Sequence, residues 1–401
     1  MNSWDCFDTL IARKHYHPKT VFDEVGRRID DPNFKAKRVA AEKASNKTYA
    51  DIYARLPGIN PQVELDVELE HHFPIMENML KVRDGDLILS DMYLPKEFLK
   101  KLLRKCGLDK QVDIIVTPDG KKKGWIWDTV KSKYNIKNHY GDNHKSDVVS
   151  AQANGINGVY TTAFDFNDVE RLVYKHDRQL ACWMRCVRLV CPFNSERHIN
   201  FWNDQANINL PVLALATLEL PDTPIAFSYR DCYNWHKLYE AITEKKGYRL
   251  DVSRQMYLEP NEHFKKYMLF VKEVGATIVD MQGKGKSILS FYEGNPPNTL
   301  YIGGKTPDYI TQLVEYNTKS MEKHNCYFEG PIVDWNNYGP IRGTNDHPAD
   351  VADIHKKAGE AAVRYISNYK FKRNKDLLLE LVKLYDASNF TNKNVSWAKY
   401  N

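Results

Sequence analysis

Four short segments carry residue types able to do phosphoryl chemistry, and they follow one another along the chain. The first is Trp4-Asp5-Cys6-Phe7-Asp8-Thr9-Leu10, an acid at a strand end followed by a loop with a second acid and a threonine. Then come Leu89-Ser90-Asp91-Met92-Tyr93-Leu94-Pro95, Lys121-Lys122-Lys123-Gly124, and Tyr140-Gly141-Asp142-Asn143-His144-Lys145-Ser146-Asp147. Asp5 and Asp8 alone read equally well as caps of the following segment. Four ordered signals are much harder to obtain by chance.

These segments resemble the motifs of the haloacid dehalogenase superfamily: an Asp loop after the first strand, a Ser or Thr after the second, a Lys, and an acidic GDxxxD-type loop. The resemblance covers about residues 3 to 165. It is greatest to a branch reading FDxFDTL, SDMYLP, KxxG and GDNxxSD, which carries a C-terminal extension.

The chemistry explains the grouping. An aspartate can attack phosphorus to form an acyl phosphate, splitting a hard hydrolysis into two steps. Carboxylate and phosphoryl group are both negative, so attack needs a cation between them, and Mg²⁺ with oxygen ligands suits it. Asp5 and Asp142 are the carboxylates assigned to that ion. The resemblance implies the Phe7 carbonyl as a third ligand, with Asp147 holding metal-bound water or positioning Lys121. Ser90 then donates to a phosphoryl oxygen and Lys121 neutralises charge in the transition state; the KxxG spacing selects Lys121 over Lys122 and Lys123. Thr9, Asp91 and Asn143 are candidate substrate contacts, Asn143 also serving the loop geometry.

One departure matters. Effective phosphatases of this kind carry an acid-base Asp two residues after the nucleophile, where this chain has Phe7 and then Asp8. A positioned acid-base group is worth about 10²- to 10⁴-fold in rate, so slow turnover is expected unless Asp8 or the substrate supplies the proton. Dehalogenation tolerates an aromatic residue there but needs no Mg²⁺, and the acids Asp142 and Asp147 argue against it.

The surrounding sequence predicts the elements that must position these groups. Only Asn2-Ser3-Trp4 precede Asp5, so the first strand is very short. A helical cap is expected over about 19–81, where Val21, Phe22, Val25, Ala40, Ala41, Ala44, Ile52, Tyr53 and Leu56 recur at helical spacing. The apolar runs Asp86 to Ser90 and Val112 to Val116 read as buried parallel strands. Residues 1–167 thus form one α/β domain with a Rossmann-like parallel sheet and a helical cap.

Residues 168–210 read as a half-buried helical connector, with Cys182, Cys186 and Cys191 at spacings that fit neither zinc nor redox pairing. Strand-like runs at Ile225 to Ser228, Tyr248 to Val252, Ala276 to Val279 and Thr299 to Ile302 predict a second α/β domain over 211–401, ending in a helical tail. There Asp280-Met281-Gln282-Gly283-Lys284-Gly285-Lys286-Ser287 is a glycine-rich strand-to-helix turn able to cradle phosphate, though not of the GxxxxGK[ST] type. It faintly resembles the sugar-phosphate loop of phosphoribosyltransferases. Arg230, Asp231, Ser253, Arg254, Asp280, Gly283 and Lys286 are candidates for a second anion pocket, against a purely structural pairing of Arg230 and Arg254 with Asp231 and Asp251.

Composition bounds these readings. The chain has 401 residues, 42% hydrophobic and 27% charged, enough for two packed domains and too ordinary for disorder. Lys and Arg number 57 against 52 Asp and Glu, a net +5 too small for a nucleic-acid binder but open to a small phosphorylated substrate. The seven cysteines include no CxxC pair, which predicts a reducing, cytoplasmic setting. No apolar run reaches the length of a membrane span, and a soluble protein is expected. The expectation is an Mg²⁺-dependent phosphohydrolase acting on a sugar phosphate or nucleotide through an aspartyl phosphate. The alternative is a bifunctional or binding protein whose weak hydrolase site accompanies a C-terminal domain that binds such a ligand.

Overall fold

The computed structural model describes residues 1–229, 231–304, 306–316, 321–325, 329–345 and 348–387; Arg230 and Cys326 lie outside them. The chain divides into two compact units, Met1–Asn167 and Asp168–Asn401. Both are α/β, and each is built on a five-stranded parallel sheet.

In the first unit the strands are β1 (Asn2–Trp4), β2 (Ile11–Arg13), β3 (His72–Pro74), β4 (Leu87–Ser90), β5 (Asp113–Val116), β6 (Asn138–Gly141) and β7 (Asn157–Tyr160). The parallel sheet runs β5-β4-β1-β6-β7, so the shortest strand is the central one. Side chains make up for its length. The Asp86 carboxylate accepts from the Asn2 N–H at 2.9 Å and from the Trp4 indole N–H at 3.0 Å. Ser3 Oγ and His139 Nδ1 share a 2.8 Å hydrogen bond, and the Trp4 ring stacks on Tyr140 at 4.1 Å. β4 buries all four residues: Ile88 joins the core on the cap side, while Leu87 and Leu89 pack with Ile126, Trp127 and Val130 on the other, the two-sided burial of a central parallel strand.

β2 and β3 form an antiparallel pair, Arg13 opposite His72 and Ile11 opposite Pro74. Between them lie helices Thr20–Arg28, Phe34–Ala44, Tyr49–Ala54 and Gln62–His71. The insertion therefore closes at His71, short of the expected residue 81: His72–Pro74 returns to the sheet side as a strand too short to show alternation, and Met76–Met79 is a separate turn of helix. Within the insertion Arg38 is fully buried, its guanidinium paired with Glu64 at 2.7 and 3.0 Å and lying 4.7 Å from the Phe22 ring.

The second unit has β8 (Ile225–Ser228), β9 (Tyr248–Leu250), β10 (Thr277–Gln282), β11 (Thr299–Gly303) and β12 (Ile310–Gln312) in the order β12-β11-β10-β8-β9, and an antiparallel pair, β13 (Ile332–Asn336) and β14 (Gly339–Arg342). The segment read as a connector belongs to this unit. Helix Arg178–Leu189 is buried along most of its length and fastened to helix Ala349–Ile366 by the Trp183 indole N–H on the Ala362 carbonyl at 3.0 Å. Cys182 and Cys186 are part of that packing, and Cys6, Cys106, Cys191 and Cys232 are likewise buried free thiols. No helix among the described residues is long and apolar enough to cross a membrane.

Candidate functional site

The first-unit candidates sit where three strands end. Asp5 follows β1 and its N–H continues the ladder to the Tyr140 carbonyl at 2.8 Å. Ser90 closes β4, and Asp142 follows β6. Ligand groups collect at such carboxyl ends in open α/β sheets.

After Asp5 the chain turns sharply. The Cys6 carbonyl accepts from both Leu10 and Ile11, and Asp8 takes a left-handed φ of 56°. Phe7 is buried, its ring edge against His72 at 5.3 Å and the Arg13 guanidinium 4.8 Å from its centre. Arg13 in turn lies 3.5 Å from Asp8. Thr9, fully buried, donates to Asp142 at 3.2 Å.

Lys121 stands on a single helical turn, Gly120–Lys123, that ends on Gly124 with a left-handed φ of 82°. Its amino group is buried and donates to Asp5 Oδ1 at 2.5 Å and Asp147 Oδ1 at 2.7 Å, whereas Lys122 and Lys123 are exposed. Asp91 lines the cavity, but its carboxylate accepts from the backbone N–H groups of Lys121 and Lys122 at 3.0 and 3.2 Å, so it holds the lysine turn. Asn143 likewise spends its side chain on the loop, accepting from Lys145 and Ser146.

Asp142 and Asp147 are brought to one place by a π-helical turn, His144–Val149, which absorbs the extra residue in the spacing between them. Asp147 is buried, with Oδ2 on the Asn143 N–H at 2.9 Å and Oδ1 shared between Lys121 and His139, whose Nε2 lies 3.3 Å away. Gly141 makes the approach possible: a Cβ there would come within 2.3 Å of the Asp147 carboxylate carbon. Sequence reasoning missed His139. It is wholly buried on β6 and links Ser3 of β1 to Asp147, and a lone histidine in a strand gives no signal of that role.

The electrostatics are those of an under-neutralised acidic cluster. Carboxylate oxygens of Asp5, Asp142 and Asp147 lie within 4.8 Å of one another. Burial pushes Asp5 well above the usual carboxylate range, opposed by Lys121 and reinforced by Asp147 and Asp142. Asp142 is pushed up to about 6 by burial and by Asp8 and Asp147. Burial acts the same way on Asp147, but Lys121 and His139 overcome it and hold that carboxyl well below its usual range. Burial would lower Lys121, yet Asp5, Asp147 and Asp91 raise it. The set offers oxygen donors only, and among the described residues Asp142 has no cation as close as Lys121 is to Asp5 and Asp147. Asp5 and Asp142 therefore fit a hard divalent ion, while Asp147, with both oxygens engaged, positions Lys121.

Above these groups lies a cavity of about 480 Å³ lined also by Arg13, Phe22, Glu42, Lys43, Glu68 and Tyr93. Glu68, buried on the last helix of the insertion, is pushed up to about 7 by that burial against the pull of Arg13. Apart from Tyr93, which lies in the second motif segment, these wall residues belong to no motif, which is why the sequence alone does not point to them.

In the second unit Asp231, Ser253, Arg254, Asp280, Gly283 and Lys286 line one cavity of about 940 Å³ at the strand ends. Ser253 is occupied structurally, donating to the Ile332 carbonyl at 2.7 Å and accepting from the Met256 N–H. The structural pairing weighed for Arg254 is not what the geometry gives: Asp251 is held by Arg249 and Arg342. Compared with known proteins, the chain matches no family model and no curated sequence.

Proposed function

We propose that the first unit is a Mg²⁺-dependent phosphohydrolase of the haloacid dehalogenase type, acting on a small phosphate ester. The observation that carries this reading is the buried Lys121 amino group between Asp5 and Asp147, with Asp142 beside them, at the carboxyl ends of adjacent parallel strands. A structural ion pair needs one acid per cation; three carboxylates around one lysine is an arrangement that burial disfavours unless a further cation and an anionic substrate complete it.

In this reading Asp5 and Asp142 hold Mg²⁺, which when bound supplies the positive charge that lets carboxylate and phosphoryl group approach. The Asp5 oxygen would form a bond to phosphorus as the ester P–O bond breaks, the departing alkoxide taking a proton from solvent. Water would then attack phosphorus, losing a proton to solvent, as the bond to Asp5 breaks and phosphate leaves with the Asp5 carboxylate restored. Ser90 and Lys121 donate to the phosphoryl oxygens, and Asp147 and His139 keep Lys121 aimed. Phe7 puts an aromatic wall where a proton donor would serve, so turnover favours esters whose leaving group needs little protonation. The helical insertion roofs the cavity and excludes water.

The test is phosphate release over a panel of sugar phosphates, nucleotides and p-nitrophenyl phosphate. Release is expected to require Mg²⁺, to vanish in Asp5→Asn, and to be fastest on the nitrophenyl ester. Silence of the folded parent across the panel would refute the hydrolase.

A further inference from the structure

The second unit holds a site of different design. Its strand order reverses between β8 and β10: β8 leads outward to β9, while β10 leads to β11 and β12 on the other side. In a parallel sheet the loops leaving such neighbours diverge and open a crevice. Here the crevice is a cavity of about 940 Å³, inside the range of roughly 300–1,000 Å³ of small-molecule sites.

Its lining carries both signs of charge. Arg254, Lys284 and Lys286 line it, are exposed, and pair with no carboxylate among the described residues. Gly285, between the two lysines, has a left-handed φ of 63°, and a Cβ there would strike Ile310 at 1.9 Å. The loop is thus fixed in the form that displays both amino groups, with its carbonyl held by the Tyr309 hydroxyl at 3.0 Å. The opposite chemistry is contributed by Asp231, Asp280 and Glu322. Burial and Asp231, with a smaller push from Glu322, raise the Asp280 carboxyl well above its usual range. These acids do not form a metal-ligand set: among the described residues the one such set is Asp5, Asp142 and Asp147. Gln282 also lines this space, and its side-chain amide oxygen is buried without a hydrogen-bond partner among the described residues.

A bare anion would meet the three acids, and a bare cation would meet the three unpaired basic side chains and Arg342. A ligand carrying a phosphate at one end and hydroxyls at the other satisfies both. Carboxyl and amide oxygens accept from sugar hydroxyls, and a carboxyl that keeps its proton also donates to them, while Arg and Lys at the lip bind phosphate. We propose that this crevice is a second ligand site, independent of the first, that binds a phosphorylated sugar, either free or as part of a nucleotide.

The test is calorimetric titration of the full chain in chelator with four probes: glucose 1-phosphate, uridine diphosphate, inorganic phosphate and glucose. One of the two phosphorylated sugar compounds is expected to bind at one site at least tenfold more tightly than phosphate or glucose, and which of them does so identifies the source of the sugar phosphate. The Arg254→Ala/Lys286→Ala variant is expected to weaken that binding about tenfold or more; both side chains are at the surface, so the fold survives their loss. Asp280→Asn separates the hydroxyl arm and should reduce the preference over inorganic phosphate. Absence of binding by every probe, or binding undiminished in the double variant, would overturn the proposal. Binding lost in Ser90→Ala instead would place the ligand in the first unit and overturn it as well, whereas failure of the phosphatase panel leaves it untouched.

Discussion

Lys121→Met removes the one cation inside the first-unit cluster while keeping most of the aliphatic stem. The side chain is 2% exposed and its amino group contacts Asp5 at 2.5 Å and Asp147 at 2.7 Å. Coulomb attraction at such separations is about 6 kcal/mol per pair at an effective dielectric of about 20, before desolvation is counted. Deleting one partner of a buried pair costs about 3–5 kcal/mol because the remaining charges stay buried. The expected loss of stability at pH 7.5 in chelator is of that size, a fall of about 1–3 M in the urea midpoint of the first unit. The deficit has a pH signature. Asp5 and Asp142 already lie above their unfolded values, and removing Lys121 takes away the cation that opposes the rise at both, so the folded variant binds more protons than the parent and loses stability as pH rises through that window. Lowering the pH to 5, below the value of about 6 already reached by Asp142, should recover part of the loss relative to the parent. Urea unfolding followed by circular dichroism at the two pH values measures it. A variant within about 0.5 kcal/mol of the parent at both would refute the claim that Lys121 neutralises this cluster.

Further outcomes follow from the same geometry. Gly141→Ala should displace the Asp147 carboxylate, which a Cβ would approach to 2.3 Å, and reduce any phosphate release at least tenfold while also lowering the melting temperature; unchanged kinetics would show that Asp147 does not aim Lys121. Asp204, pushed up to about 7 by burial alone, keeps its proton longer folded than unfolded, so it costs stability as pH rises from about 4 to 7. Asp204→Asn should therefore raise stability at pH 8 by a few kcal/mol and leave it unchanged at pH 4, as read by chemical denaturation at both.

The chemistry-bearing strand ends are legible because each combines a short apolar run with an abrupt polar cluster, and Lys121 is singled out from its neighbours by the KxxG spacing of the resemblance. The partners of those residues are not legible. His139, Arg13 and Glu68 act through distances closed only when β6, β2 and the last helix of the insertion meet, and a single polar side chain in a strand of three or four residues, or on one helix, leaves no periodic trace. The bounds of the insertion fail for the same reason: β3 is recognisable only by its pairing with β2. In the second unit, helix Arg178–Leu189 is apolar on so many sides that its pattern fixes burial but not the partner it packs against.

The pairing of Arg13 with His72 has a consequence for how this protein can change. The insertion leaves one strand and re-enters its immediate neighbour, so its two ends are held side by side by ladder hydrogen bonds outside the parallel sheet. Segments whose ends lie so close can be exchanged without redirecting the chain on either side. Residues 14–71 thus behave as a cassette: their length and lining can be rewritten while the strands that carry Asp5, Ser90 and Asp142 keep their register. If the proposed activity holds, exchange of this segment for an unrelated helical hairpin is a route by which the same strand-end residues would acquire a new clientele.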